Sequence, residues 1–144
     1  MVDYTKYVLK SKEELEALLA GKDHFFLVAC NKCFKEFDTV QEPELDEMAS
    51  LAAAAGKTVT GSVRVDFLCN KVQTEKKLAG LIPEGTQNVL VISCGLGVQT
   101  MADVADVPTF TATNSLNYTG HHGMALTQKT CGACAQCYLN VTGG

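Results

Sequence analysis

The chain has 144 residues, a usual length for one domain and enough to bury a core without disulfides or metals to hold it. Apolar residues make up 47%, an ordinary globular share. Net charge is −4 with Lys and Arg scattered along the chain, which argues against a surface built to neutralise nucleic-acid phosphates.

Met1-Val2-Asp3-Tyr4 lacks the charged and apolar regions of a signal peptide. Apolar runs such as Phe25 to Cys30 are far too short to span a bilayer. The expectation is a soluble, cytoplasmic protein with no membrane partner. Thiols stay reduced in that compartment, so seven cysteines read as ligands or redox groups rather than as disulfides.

Ser11-Lys12-Glu13-Glu14 is a capping box, with Leu15, Leu18 and Leu19 at helical spacing and Gly21 as a stop. It predicts a helix over 12–20. His24 to Cys30 is a short apolar run suited to a buried strand, and Cys30-Asn31-Lys32-Cys33 reads as a loop entering a short helix. Pro43 opens the next helix, with Leu45, Met48, Leu51, Ala52 and Ala55 on one face and Gly56 at its end. Glu42, Glu44, Asp46 and Glu47 suit the dipole of that first turn and need no catalytic explanation. Lys57 to Val65, rich in β-branched residues, predicts a second strand, with Cys69 in the loop beyond.

A helix follows over 71–81, stopped near Pro83. Asn88 to Ser93 is the clearest strand, and Cys94 comes directly after it. Residues 97–104 predict a short helix with Val98, Met101 and Ala102 inward, and 107–113 a fourth strand. From Asn114 onward the sequence reads as loop, apart from any helix near the last cysteines. No internal repeat or linker divides the chain. It is expected to be a single α/β domain over 1–144, with a cysteine-rich C-terminal segment over 114–144. Alternating strands and helices predict an open parallel sheet of about four strands with helices on both faces, in the order 2-1-3-4.

That fold gives the cysteines a common address. Cys30 and Cys33 follow the first predicted strand, Cys69 the second and Cys94 the third, so all belong to the sheet edge where open α/β folds bind ligands. Thiolates hold zinc in closed tetrahedral sites, and equally hold iron–sulfur clusters. The bland alternative for Cys69 and Cys94 is a pair of small buried apolar residues. A second group, Cys131, Cys134 and Cys137, forms a C-x₂-C-x₂-C run, a strong signal for a metal or cluster. It is similar to the start of the bacterial ferredoxin run, whose fourth cysteine position is here Val141.

Cys94-Gly95-Leu96-Gly97 lacks the third glycine of a dinucleotide fingerprint, so a tight turn beside a ligand is preferred to a phosphate cradle. His121 and His122 read as solvated loop residues. No Ser-His-Asp or Cys-His arrangement stands out, and no catalytic residue is assigned.

Three stretches together carry a family resemblance: Cys94-Gly95-Leu96-Gly97-Val98-Gln99-Thr100; Asn114-Ser115-Leu116 with Gly120; and Cys131-Gly132-Ala133-Cys134-Ala135-Gln136-Cys137-Tyr138-Leu139 followed by Thr142-Gly143-Gly144. They resemble the methylenetetrahydrofolate reductase C-terminal-domain family, which includes the small cysteine-rich subunit accompanying the flavin-bearing reductase of acetogens and related anaerobes. The resemblance extends to Cys30, Cys33 and Cys69. It implies an accessory metal or iron–sulfur subunit in one-carbon metabolism rather than a catalyst on its own. Its flavin-bearing partner would reduce methylene-tetrahydrofolate, and this chain would dock on it or relay electrons. Family members continue past the Thr-Gly-Gly with Ile-Cys-Pro and further cysteines, whereas the sequence given ends at Gly144. Two other readings stand beside it: a structural zinc module without a redox role, and a thiol oxidoreductase using Cys30 and Cys33.

Overall fold

The computed structural model describes residues 5–31 and 43–118. The elements run β1 (Thr5–Leu9), α1 (Lys12–Leu19), β2 (Phe25–Cys30), α2 (Pro43–Ala54), β3 (Val59–Val65), α3 (Lys71–Leu78), β4 (Asn88–Ile92), α4 (Gly95–Val104), β5 (Thr109–Thr111) and β6 (Thr113–Tyr118). The expected parallel sheet is present, with its strands in the order β3-β2-β4-β5. In the order of the four strands read from the sequence, this is 2-1-3-4.

The apolar runs have a direct structural reason. In a parallel sheet covered on both faces, successive residues alternate sides and both sides are dry. Phe25, Leu27 and Ala29 of β2, with Leu90 and Ile92 of β4, meet Leu15 and Leu19 of α1 and Leu45, Met48 and Ala52 of α2. Phe26 and Val28, with Val89 and Val91, meet Leu68, Leu78 of α3 and Met101 of α4 on the opposite face. Met48 and Met101 are both fully buried, as expected for core residues. Two helices on each side of one sheet give the three-layer arrangement.

Local chemistry sets the helix ends. The capping box at Ser11 is made in full: Ser11 Oγ accepts from the Glu14 N–H at 3.2 Å, and the Glu14 carboxylate accepts from the Ser11 N–H at 2.7 Å. Asp46 and Glu47 are exposed in the first turn of α2, in keeping with a solvated acidic face. Gly56, at φ 75°, provides the left-handed residue that follows α2.

Three expectations need correction. Residues 114–118 are not loop: Thr113–Tyr118 forms β6, which pairs antiparallel with β1, an element not expected from the sequence. Ala112 is the junction. Its N–H donates to Val91 O of the parallel sheet, and its carbonyl accepts from Lys10 N at the entry to this ribbon. That bend also shortens the last parallel strand to 109–111. Helix α3 ends at Leu78, before Gly80 at φ 69°, rather than at residue 81. Helix α4 begins two residues early, at Gly95, because Cys94 takes the N-cap position.

Candidate metal centre

Strand register brings the three described cysteines to one edge. Cys30 is the last residue of β2 and pairs with Val65 at the end of β3. Ala29 pairs with Ile92, so Cys94 follows two residues beyond the end of β4 and caps α4. Cys69 closes the four-residue turn that follows β3. Cys30 packs against the α3/α4 side of the sheet, the side on which α4 carries Cys94 at its start.

Each of these cysteines is half-buried, and none is in a disulfide. Burial pushes the Cys69 thiol above its ordinary value, and negative charge on Cys94 and on Cys30 adds to the rise. Cys69 therefore lies within electrostatic reach of both Cys94 and Cys30, although 64 positions separate Cys30 from Cys94 in the sequence. Among the described residues, no three or more His, Cys, Asp or Glu side chains are grouped so that they could hold a metal ion. Thiolates are donors that zinc and iron–sulfur clusters both accept. Cys33, Cys131, Cys134 and Cys137 lie outside the described residues, as do His121 and His122.

Hydroxyl groups from two helices hold the turn that bears Cys69. Thr74 Oγ1 of α3 donates to Leu68 O at 3.0 Å, and Thr100 Oγ1 of α4 lies 3.3 Å from Cys69 O and 3.0 Å from Leu96 O. Asn70 caps α3 by accepting from the Gln73 N–H at 3.2 Å. Phe67, in the same turn, holds a positive φ of 50° and is 40% exposed. Beside Cys69 runs an open cleft of about 560 Å³, lined also by Leu96, Gln99, Thr100, Ala102 and Asp103. A second cleft of about 310 Å³, lined by Asn31, Arg64, Val65, Asp66, Gln73 and Lys77, opens next to Cys30. There Asn31 donates to Asp66 Oδ1 at 2.7 Å.

The glycines after Cys94 have a packing role at one position. A Cβ on Gly97 would overlap Ser93 Oγ and would come within 3.3 Å of Leu68 Cδ2. Gly97 is buried, so its bare Cα serves the close approach of α4 to the strand end. Sequence reasoning passed over Ser93, Thr74 and Thr100. Their side chains act through contacts with residues distant in sequence, or with a helix whose placement is tertiary.

Among the described residues, no helix is long and apolar enough to cross a membrane. Compared with known proteins, the chain matches no protein-family model, and no curated protein or solved structure matches it at a significant level.

Proposed function

We propose that this chain is a cytoplasmic accessory subunit of a methylenetetrahydrofolate reductase, carrying a thiolate-held iron–sulfur or zinc centre. In this reading it docks on a flavin-bearing catalytic chain in one-carbon metabolism and supports it or relays electrons to it. The observation that supports the proposal is that Cys30, Cys69 and Cys94 share the finishing edge of a parallel sheet, where α/β folds place ligands. Cys33, two residues past Asn31, is the natural fourth donor, and the C-x₂-C-x₂-C run of Cys131, Cys134 and Cys137 supplies a second group. The combination of CGxGVQT, CGxCxxC and TGG is what directs the reading to this reductase family.

Zinc and iron–sulfur clusters both accept thiolates, so residue spacing does not choose between them. When bound, an iron–sulfur group supplies one-electron chemistry; zinc has none and would fix loops alone. An anaerobic preparation is expected to be brown, to contain iron and acid-labile sulfide in similar amounts, to bleach on reduction and to copurify with a flavoprotein. A colourless anaerobic preparation that holds zinc and still supports its reductase partner would overturn the relay role in favour of the structural-zinc module. A monomer that never meets a flavoprotein would remove the reductase assignment.

A further inference from the structure

Helix α4 touches both neighbouring cysteine loops. Its N-cap is Cys94 itself, which makes no side-chain cap hydrogen bond. One turn on, Gly97 faces Ser93, the residue before Cys94, and Leu68, the residue before Cys69. A further turn on, Thr100 Oγ1 reaches the Cys69 carbonyl. Ser93 Oγ is buried and has no hydrogen-bond partner, so its place beneath α4 is fixed by packing against Gly97.

From this geometry we infer that Gly97 and Thr100 are positioning residues that set the separation of Cys69 from Cys94. The absent side chain at 97 lets the first turn of α4 settle onto Ser93 and Leu68, which draws the two loops together. The Thr100 hydroxyl then pins the Cys69 loop to the same helix. A single added methyl at 97 would overlap Ser93 Oγ and crowd Ser93 Cβ and Leu68 Cδ2. Turning the Ser93 hydroxyl aside leaves the Cβ contact, so we expect α4 to shift from the strand end and the spacing of the two thiols to open. The purpose of that spacing rests on the metal-centre reading, but the spacing itself does not.

The test therefore uses no metal. In the full chain, Cys30, Cys33, Cys131, Cys134 and Cys137 are replaced by serine, leaving Cys69 and Cys94. Dibromobimane, which fluoresces once it has bridged two nearby thiols, reports their proximity, and circular dichroism reports folding. Gly97→Ala is expected to slow bridging about tenfold in folded protein, within the range that overpacking by one carbon produces. Adding Ser93→Gly, which removes the two nearest atoms that the new methyl meets and leaves Leu68 Cδ2 at 3.3 Å, restores the parent rate to within about twofold. Thr100→Val, which adds no bulk, slows bridging about threefold, as loss of one hydrogen bond predicts. It carries the test alone if Gly97→Ala does not fold. A folded Gly97→Ala chain that bridges at the parent rate, a slowed one that Ser93→Gly does not rescue, or a parent that does not bridge at all overturns the inference. Cobalt titration of the wild-type chain separates the two ideas: no thiolate-to-cobalt absorption there, with bridging still dependent on Gly97, sinks the metal reading and leaves the positioning role standing.

Discussion

The two ends of the parallel sheet are finished in different ways. Where the strands begin, the α1–β2 loop is tied to both neighbouring strand entries. Asp23 Oδ1 accepts from Thr58 N at 2.7 Å and from His24 N at 2.8 Å. Asn88 Nδ2 donates to Asp23 O at 2.7 Å, and His24 O accepts from Gln87 N and Asn88 N. Where the strands finish, three half-buried thiols, a buried Ser93 hydroxyl without a partner and two open clefts occupy the same span. One end spends its polar side chains on backbone N–H and carbonyl groups and closes the chain. The other leaves soft, ionisable donors near one another. The comparison teaches that stability and chemistry are separated along the strand axis, so each can be perturbed alone.

The largest expected effect falls at the closed end. Phe25 opens β2 and is fully buried, so Phe25→Ala should cost about 3–5 kcal/mol of stability in denaturant titrations. Bridging of Cys69 to Cys94 in the protein that remains folded should not change. If bridging falls with stability, the two ends are coupled and the separation is wrong.

Cys94→Ser probes the open end. If the proposed metal centre forms there, the variant should weaken cobalt binding by at least about tenfold, since even groups that merely orient ligands cost that much when lost. The unfolding free energy of the metal-free protein should move by no more than about 1 kcal/mol, because the half-buried site keeps a small side chain. Equal metal affinity in wild type and variant would remove Cys94 from the ligand set.

The smallest effect is an acid one. Hydrogen bonds from Thr58 N and then His24 N hold the Asp23 carboxyl below its ordinary value of 3.8. A folded-state value below the unfolded one means stability that is present above pH 3.8 and lost as pH falls through the lowered value. Asp23→Asn should flatten this acid limb of a stability–pH curve and leave the bridging of Cys69 to Cys94 at neutral pH unchanged. An acid limb as steep in the variant as in the wild type would assign it to other carboxylates.

Much of this architecture is written locally. The run Phe25-Phe26-Leu27-Val28-Ala29 is apolar without alternation, and a strand covered on both faces is what such a run can form. The Ser11 capping box names its own helix start because both of its bonds close within four residues. Gly95 concealed the true start of α4, since glycine is a poor helix former and the reading from sequence began the helix only at Gly97. The β1–β6 ribbon was illegible for a related reason. Thr113-Asn114-Ser115-Leu116-Asn117-Tyr118 has weak strand character, and the backbone partners that make it a strand begin at Thr5.

The sequence by itself determined that cysteines follow three successive strands and that those strands form a parallel sheet, because periodicity and chain order are local properties. Only the tertiary structure decided how near the thiols come and by what means. The register of Cys30 against Val65 and of Ala29 against Ile92, the bare Cα of Gly97 under α4 and the Thr100 hydroxyl on the Cys69 carbonyl are contacts between separate parts of the chain. Their geometry follows from how two helices pack on one face of a sheet, and no stretch of sequence read alone contains that distance.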